Sequence, residues 1–277
     1  MRVSLKDRIK LLIGRLIKVN PAFLRRYYAI SYFLDKGNSR FIGDYYYVEI
    51  ELFNKSKFNI KLRSKSSDID VFKQIFIDHE YIFISELINK YTPDNKIHTF
   101  IDIGANIGLA TLYMSTLYQI NTVIAVEPDD GNYNLLIHNL ENIPSRFIPI
   151  KAAIWKDNSI LEKQSIRDNR NWSYCYKEKT NADKDIPEIN GYTIQQIIVD
   201  HDIQNIDILK IDIEGGESQI FGSKTEYSNL LRITNFLAIE IHDEISSRIE
   251  IIDLISNYFS IYFKGETLFG VNKKLIK

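Results

Sequence analysis

The sequence predicts an α/β fold: a doubly wound, mostly parallel seven-stranded sheet with helices on both faces, preceded by an N-terminal extension of helices and strands. Three observations support this prediction. From residue 97 onward, short apolar runs that suit strands alternate with stretches whose apolar residues recur at helical spacing. One of these strands leads through two glycines into a helix, as the cofactor turn of a doubly wound sheet does. The chain closes with two apolar runs that fit an antiparallel hairpin.

Composition and charge are those of an ordinary globular chain. Its 277 residues are enough to bury a sizeable core, and 45% of them are hydrophobic and 26% charged. The formal net charge of -1 provides no overall attraction for nucleic acid. Cys175 is the only cysteine, which excludes an internal disulfide and thiolate zinc sites and favours a reducing, cytoplasmic compartment. No apolar run reaches the length of a membrane-spanning helix.

The N-terminal extension, residues 1–44, begins with a strongly basic segment. Residues 1–28 contain a single acid, Asp7, and the basic residues Arg2, Lys6, Arg8, Lys10, Arg15, Lys18, Arg25 and Arg26. Apolar residues recur at helical spacing, and Lys10 and Arg15 interrupt them too often for a signal peptide. The segment therefore predicts a basic amphipathic helix. It either contacts an anionic membrane surface or packs on the domain with its basic face in solvent.

Residues 45–96 predict a lead-in that packs on a core domain of residues 97–277. Residues 37–43 are typical of a loop, and residues 45–52 and 57–62 of a strand pair. Ser66 and Ser67 precede apolar residues at helical spacing and predict a capped short helix that starts at Asp68. A further helix is predicted for residues 81–88.

The core domain alternates predicted strands and helices. The strands are residues 99–103, 122–127, 146–150, 207–212 and 236–241, and residues 260–263 and 267–271 form the closing hairpin. The helices are residues 109–118, 130–141, 194–200, 216–221 and 246–255. Between the third and fourth strands lies a polar insertion, residues 156–192, which contains Trp172, Tyr174 and Tyr176. This insertion is either an ordinary surface loop with a small core of its own or a platform that stacks on a sugar ring or another flat polar substrate.

Residues 100–110 form the most informative stretch, a strand that turns through Gly104 and Gly108 into a helix. A dinucleotide site needs three glycines, because the pyrophosphate approaches bare backbone at a helix N-terminus. Asp102 replaces the first glycine here. Its carboxylate would repel a pyrophosphate but attract a ligand with an ammonium group and a sulfonium, such as S-adenosylmethionine (SAM). Glu127 ends the next strand, where an acid suits ribose hydroxyls. The alternative is a tight structural turn in which Asp102 is satisfied locally.

Residues 207–216 form a second informative stretch. Strand alternation places Lys210 and Asp212 on one face, with Glu214 following at the same period. Charges within a buried parallel strand are costly unless they are paired or functional. His242 ends the last parallel strand at the same carboxyl edge, where it could act as a general base. These four residues are the candidate catalytic residues. Alternatively, Asp212, Glu214 or His242 only caps a helix and Lys210 neutralises Asp212.

These motifs resemble those of the FkbM-type SAM-dependent methyltransferases. The matching pieces lie at residues 71–76, 80–81, 100–108, 126–128, 152–154, 206–215 and 239–242. The resemblance covers residues 68–242, and its most specific piece is the Lys-x-Asp-x-Glu-Gly motif that starts at Lys210. Gly216 departs from the alanine that the family often has, and the basic segment of residues 1–28 has no counterpart motif.

The resemblance implies a class I methyltransferase fold and, usually, O-methylation of a sugar or another small hydroxyl compound. It implies that Glu127 holds the ribose of SAM and that the backbone of Ala152 and Ala153 lies near the adenine, and Tyr81 is expected at the same site. The residues implied to line SAM are Asp102, Gly104, Asn106 and Gly108.

We therefore expect a cytoplasmic SAM-dependent O-methyltransferase that acts on a small molecule or saccharide, in surface polysaccharide or glycan biosynthesis. Lys210 is expected to orient Asp212, and either Asp212 or His242 to accept the hydroxyl proton. Glu214 is expected to position the acceptor or the ammonium group of SAM. No metal is expected, because hard ions prefer oxygen-only shells and no further acid is placed by motif.

Other functions fit the sequence less well. A nucleic-acid partner is not expected, because neither an Asn/Asp-Pro-Pro motif at the fourth strand nor a Pro-Cys nucleophile is present. A nicotinamide-dependent oxidoreductase is disfavoured by Asp102 and the missing glycine. Two alternatives stay open: a catalytically silent SAM-fold module docked to a membrane or complex, and a methyltransferase acting on a non-sugar acceptor.

Overall fold

The computed structural model describes residues 39–92, 96–165, 174–179, 188–213, 216–221, 224–242 and 248–276. The strands are β1 Ser39–Ile42, β2 Tyr45–Glu51, β3 Lys57–Arg63, β4 Lys96–Ile103, β5 Gln119–Val126, β6 Arg146–Ile150, β7 Ala153–Ile154, β8 Ile160–Ser165, β9 Tyr174–Glu178, β10 Glu188–Tyr192, β11 Ile206–Ile211, β12 Thr234–Glu240, β13 Phe259–Lys264 and β14 Thr267–Asn272. The helices are α1 Asp68–Phe72, α2 Ile82–Tyr91, α3 Leu109–Leu117, α4 Asp130–Leu140, α5 Ile194–Asp200, α6 Glu217–Ile220, α7 Lys224–Ile233 and α8 Arg248–Ser256. The basic helix predicted within residues 1–28 lies outside the described residues.

The central sheet contains seven strands in the order β13-β14-β12-β11-β4-β5-β6. Strand β14 runs antiparallel to both of its neighbours, whereas β12, β11, β4, β5 and β6 pair in parallel. The predicted doubly wound, mostly parallel seven-stranded α/β sheet is therefore confirmed. The carboxyl ends of β12, β11, β4 and β5 lie side by side along one edge of this sheet, where such folds bind their ligands.

Two hydrophobic cores cover the two faces of the sheet. Phe100 packs in the core shared with the lead-in and α3, while its neighbour Ile101 packs in the core on the opposite face. Successive strand residues point to opposite faces, so a strand buried on both sides must be apolar throughout. This explains why the core strands read as continuous apolar runs and why a charge within them is informative.

The lead-in forms an antiparallel three-stranded sheet in the order β1-β2-β3. Asn139 of α4 joins it to the core domain: its Oδ1 accepts from Lys61 N at 2.9 Å, and its Nδ2 donates to Ile107 O at 2.9 Å. The prediction of a loop over residues 37–43 is wrong for Ser39–Ile42, which pair with β2 as β1. Pairing with a neighbouring strand, which the local sequence does not reveal, stabilises this short segment.

The predicted helix that starts at Asp68 is present, but its N-terminus is stabilised by other contacts than a capping bond of Ser67. Ser67 makes no side-chain capping bond, and Ser66 Oγ instead accepts from Asp68 N at 3.1 Å. The buried Asp68 carboxylate accepts from Arg63 Nε at 2.9 Å and Nη2 at 2.7 Å. After five residues the helix continues as a π-helical turn, Lys73–Ile77.

The described part of the insertion between β6 and β11 contains strands, which the sequence analysis did not predict. Strands β8, β9 and β10 form a four-stranded sheet with β7, in the order β7-β10-β8-β9. Charged residues that face each other across these strands, such as Glu162 and Lys177 at 2.9 Å, conceal the strand pattern in the sequence. Tyr176 lies on β9, whereas Trp172 lies outside the described residues. Helix α7, which is rich in polar residues, was not predicted either.

Across the described ranges, no helix combines the length and the apolar character that a membrane span requires.

Candidate active site

The carboxyl ends of β4, β5, β11 and β12 open onto a cavity of about 290 Å³. The predicted site residues in its wall are Tyr81, Gly104, Asn106, Glu127, Ala153, Lys210, Asp212 and His242. Asp102 and Gly108 do not form part of the wall. Glu214 lies outside the described residues. Residues from distant parts of the chain therefore meet at this edge of the sheet.

The turn after β4 is shaped by Gly104, whose φ is +73°. A Cβ at this position would lie 1.8 Å from the backbone oxygen of Asp212, so only glycine lets the turn approach the end of β11. Gly108 serves packing in the same way, since a Cβ there would lie 2.9 Å from Leu140 Cγ on α4. Contacts within the chain are therefore enough to require glycine at both positions, whether or not a ligand also approaches them.

Asn106 presents an acceptor to the cavity. Its φ is +51°, an uncommon value for a residue with a side chain. The Oδ1 atom is buried and has no hydrogen-bond partner among the described residues. A buried acceptor without a partner is costly, so this oxygen is suited to receive a donor from a ligand.

Glu127 is a buried carboxylate held by donors on both oxygens. Its Oε2 accepts from Asn106 N at 2.9 Å, and its Oε1 accepts from Asp129 N at 2.9 Å and from Asn132 Nδ2 at 3.4 Å. Burial raises the pKa of Glu127 to about 7, despite these hydrogen bonds. Because a carboxylate offers about four lone-pair sites, Glu127 retains capacity to accept further hydrogen bonds at the cavity.

Asp102 is fully buried behind the wall rather than exposed to a ligand. Thr111 Oγ1 donates to its Oδ2 at 2.8 Å, and Lys210 Nζ lies 3.4 Å from its Oδ1. The direct attraction of a ligand's ammonium group that we expected of Asp102 does not match this position, because a cation of the protein already offsets the charge. The geometry favours the alternative in which the charge of Asp102 is offset within the chain by Lys210, although Asp102 Oδ1 has no hydrogen-bond partner among the described residues.

Lys210 lies between two carboxylates. Its Nζ donates to Gly104 O at 2.8 Å and lies 3.4 Å from both Asp102 Oδ1 and Asp212 Oδ2. Burial alone would lower the pKa of Lys210, but Asp102 and Asp212 raise it above its usual value. Lys210 is therefore a permanent cation that holds Asp212 in place, as the sequence predicted, and it is not a proton donor near neutral pH.

His242 pairs with a carboxylate that the sequence analysis did not single out. Its Nδ1 lies 2.8 Å from Oε1 of Glu217, which is fully buried at the start of α6. Its Nε2 lies 3.8 Å from Glu240 Oε1, beyond hydrogen-bond distance. The sequence held no signal for this pairing, because the burial of Glu217, which directly follows the Glu214-Gly-Gly segment, is known only from the structure.

Three further acids, Glu80, Glu240 and Glu266, also line the cavity. Burial raises the pKa of Glu240 to about 8, and the nearby charge of Asp212 adds to the effect. Burial also raises the pKa of Glu80. Their clustering was not apparent from the sequence, because they come from three separate segments.

The opposite part of the wall is apolar and aromatic. It contains Ala152, Ala153, Trp155 and Tyr176, the last from the insertion. Tyr81 is buried, which raises its pKa well above the usual value, so it stays neutral. Such a surface suits a flat ring.

The described residues contain no cluster of metal ligands. Within those ranges, no group of three or more His, Cys, Asp or Glu side chains could hold a metal ion. The expectation that the site works without a metal remains a prediction.

Comparison with known proteins identifies several relatives. The family model for the methyltransferase FkbM domain matches residues 102–262. Methyltransferase 1 of Beauveria bassiana (strain ARSEF 2860) is 21% identical over 184 residues, 58% of this chain and 69% of that protein. Methyltransferase sdnD of Sordaria araneosa is 24% identical over 212 residues, 66% of this chain and 79% of that protein. Among solved structures, the N-terminal domain of human METTL16 in complex with S-adenosylhomocysteine (SAH) matches 89% of this chain and 93% of that one, at 13% identity and a TM-score of 0.44.

Proposed function

This chain belongs to the FkbM methyltransferase family, and on that premise we propose that it transfers a methyl group from SAM to a hydroxyl of a saccharide or another small molecule. One observation carries the proposal. A single cavity has the acceptor groups of Asn106 and Glu127 on its β4–β5 side and the charged group of Lys210, Asp212 and His242 on its β11–β12 side. The first set suits a nucleoside, and the second suits a hydroxyl that must lose its proton.

The residues present fit SAM. Glu127 can accept the ribose hydroxyls, and the partnerless Oδ1 of Asn106 can accept from a hydroxyl or ammonium donor. The backbone of Ala153 borders the apolar part of the wall, where an adenine would lie, and Tyr81 lines the same cavity near Glu80 and Asp212. When bound, SAM supplies an electrophilic methyl group on a sulfonium.

The acceptor side of the cavity must orient a hydroxyl and take its proton. Asp212 and His242 are the two candidates for the base, and Lys210 orients Asp212 from 3.4 Å. Trp155 and Tyr176 present aromatic rings on which a sugar can stack, and this supports a saccharide acceptor. We place this activity in the biosynthesis of surface polysaccharide or another glycan.

The proposal extends to the surroundings of the enzyme. The acceptor is a small molecule rather than nucleic acid, and the protein acts in the cytoplasm. Residues 1–28, whose structure is not described, are proposed to make a peripheral contact with an anionic membrane surface.

Calorimetry and turnover test the proposal together. The full-length protein should bind SAH and should not bind a nicotinamide dinucleotide. Radiolabelled SAM should transfer its methyl group to at least one member of a panel of saccharides and small hydroxyl compounds. Mass spectrometry of surface glycans, with and without the gene, should reveal a missing O-methyl group. SAH binding without turnover on the panel and without a glycan change would indicate the catalytically silent module.

Variants then test the two candidate bases. Asp212→Asn and His242→Gln remove one proton acceptor each, and loss of a general base typically lowers the rate by ~10²–10⁴-fold. The exposed Asp253 of α8 provides a matched control, and Asp253→Asn should leave turnover unchanged. If both cavity variants retain full turnover on the true acceptor, the charged edge of the sheet is structural.

A further inference from the structure

The cavity carries more negative charge than its lysine and the cofactor can offset. The acids among the described residues of its wall are Glu80, Glu127, Asp212, Glu240 and Glu266. Lys210 is shared between Asp102 and Asp212, and Glu127 is held by backbone N–H groups. SAM adds a single net positive charge, because a carboxylate accompanies its sulfonium and its ammonium group. Glu80, Glu240 and Glu266 are therefore left without a lysine or arginine partner among the described residues.

These three acids come from separate segments but lie close enough to repel one another. Glu240 makes no hydrogen bond with any described residue, and its Oε1 lies 3.8 Å from His242 Nε2. Burial raises the pKa of Glu240 to about 8, and the charges of Asp212, Glu80 and Glu266 add to the rise. Such a group of carboxylates is unfavourable until a positive charge is placed among them.

A buried tyrosine at the same place provides an independent observation. Tyr81 lines the cavity and is 7% exposed, and its hydroxyl makes no hydrogen bond with any described residue. Burial raises its pKa, as do the charges of Asp212, Glu80 and Glu240, so the neutral hydroxyl lies among these acids. A buried hydroxyl without a partner is costly. Because a phenol both donates and accepts, Tyr81 can accept an N–H of a ligand that lies between it and the carboxylates.

We propose that the acceptor carries a protonated amino group beside the hydroxyl that is methylated, as an amino sugar does, and that Glu80, Glu240 and Tyr81 bind this ammonium group. The inference rests on the proposed function and narrows its acceptor class. An ammonium group has three N–H donors, which match two carboxylates and the phenol oxygen. Glu266, exposed in the turn between β13 and β14, adds attraction at the mouth of the cavity. A neutral sugar would leave the negative charge in place.

The same acids direct the methyl group to oxygen rather than nitrogen. Nearby carboxylates raise the pKa of a bound amine, so its nitrogen stays protonated and has no lone pair with which to attack. The acceptor oxygen forms the C–O bond and gives its proton to Asp212 or His242. The S–CH₃ bond breaks with its electron pair left on the sulfur.

The ammonium group of SAM is the competing occupant of this part of the cavity. The buried Oδ1 of Asn106, which has no partner among the described residues, already offers it an acceptor. The amino-acid end of SAM also bears a carboxylate, which Glu80 and Glu240 would repel. An ammonium group without an adjacent carboxylate is therefore the better match.

Calorimetry on the full-length protein saturated with SAH tests the proposal at neutral pH without turnover. The probes are glucosamine, galactosamine and mannosamine, each compared with its parent hexose and its N-acetyl derivative. At least one amino sugar should bind, and at least about tenfold more tightly than both of its neutral counterparts, because hydrogen bonds to charged groups are the stronger ones. If no amino sugar binds, or if the neutral counterparts bind equally well, the proposal is overturned.

Variants assign the binding to these residues. Glu80→Gln and Glu240→Gln should each weaken binding of the amino sugar by at least about tenfold, and Tyr81→Phe should weaken it several-fold. The two glutamine variants should fold, because each removes one of several mutually repelling charges. Glu162 is buried outside the cavity wall and pairs with Lys177 at 2.9 Å, so Glu162→Gln is a control that should leave amino-sugar affinity unchanged. Full affinity in both Glu80→Gln and Glu240→Gln would refute the assignment.

A second cofactor probe distinguishes the competing occupant. 5′-Methylthioadenosine lacks the amino-acid end of SAH but retains its nucleoside. If Glu80→Gln and Glu240→Gln weaken SAH and leave 5′-methylthioadenosine unaffected, these acids hold the ammonium group of the cofactor and the proposal is wrong. Equal, small effects on both probes support the acceptor as the occupant.

Turnover separates failure of this inference from failure of the proposed function. An amino sugar that binds as expected but receives no methyl group counts against the methyltransferase proposal and leaves the ammonium site intact. Methylation confined to neutral saccharides supports the methyltransferase proposal and refutes the ammonium site. With an amino sugar that turns over, mass spectrometry should locate the new methyl group on oxygen, and a methyl group on nitrogen would contradict a bound, protonated amine.

Discussion

Binding of SAH should strengthen as the pH rises through 7, because Glu127 must be ionised to accept two ribose hydroxyls. Burial raises the pKa of Glu127 to about 7, so the ligand-free protein holds a proton there over much of the neutral range. Hydrogen bonds from the ribose stabilise the charged form, and binding therefore releases that proton.

The magnitude follows from the ionised fraction. With a pKa of about 7, roughly one tenth of the Glu127 carboxyls are ionised at pH 6 and nine tenths at pH 8, which predicts about tenfold tighter binding at the higher pH. Glu127→Gln should weaken binding by about 1–3 kcal/mol at pH 8, because partners are left unpaired. The loss should be smaller at pH 6, where the wild-type side chain is itself mostly neutral.

Glu127 affects the stability of the ligand-free protein in the opposite direction: stability falls, whereas SAH binding strengthens, as the pH rises. The folded pKa of Glu127 lies above its usual value of 4.5, so its contribution to stability is complete below about pH 4.5 and is lost as the pH rises through 7. The shift corresponds to about 3 kcal/mol in the ligand-free protein. SAH should therefore raise the melting temperature more at pH 8 than at pH 6.

Isothermal titration calorimetry with SAH at pH 6, 7 and 8 measures this dependence. Glu240, whose pKa burial raises to about 8, lines the same cavity, so the comparison with Glu127→Gln is essential. The variant should bind with nearly constant affinity, while the control Glu162→Gln should keep the wild-type slope. A flat wild-type profile, or an unchanged slope in Glu127→Gln, would refute the assignment of Glu127 to the ribose.

Three further outcomes are expected. Gly104→Ala should lower the melting temperature strongly, because its Cβ would lie 1.8 Å from a backbone oxygen. The control Gly265→Ala has a similar φ of +61° but open space around it, so it should cost only about 1 kcal/mol of backbone strain. Equal melting temperatures for the two variants would contradict the steric role of Gly104. Lys210→Met leaves Asp102 buried without a cation and should destabilise the fold by about 3–5 kcal/mol in urea titrations, and Lys210→Arg should retain part of that stability. Full-length protein should sediment with anionic liposomes in low salt but not in high salt. Removal of residues 1–28 should abolish this sedimentation while SAH binding persists. If the full-length protein does not sediment in low salt, the helix that packs on the domain is favoured.

The core strands and helices could be predicted because each pattern is local. A strand buried on both faces is apolar throughout, and a helix that covers it repeats its apolar residues at helical spacing, so β4, β5, β6, β11 and β12 were found within a few residues of their ends. Strand β1 and the strands of the insertion were missed. Strand β1 is stabilised by its hairpin with β2, which its own four residues do not reveal, and the strands of the insertion pair with one another through faces that carry charges.

The positions of several candidate site residues could also be predicted from local patterns. Glu127, Lys210, Asp212 and His242 stand where predicted strands end, and parallel strands bring those ends to one edge. The sequence also predicted that Lys210 would pair with Asp212, because neighbouring positions on one strand face require it. The family motifs lie on these same segments, which is why the resemblance and the physical argument indicate the same residues.

Other features were decided only by the tertiary structure. Register between β4 and β11 places Asp102 beside Lys210, so a residue expected to meet the ligand is instead buried next to a cation of the protein. The pairing of Glu217 with His242 joins residues that come from different elements, and no spacing rule connects them. Strand alternation and burial are local consequences of the backbone, so the sequence alone determined which residues reach the edge of the sheet. Which of them touch, and which carboxylates retain their protons, depends on distances and desolvation that exist only once the separate segments have packed together.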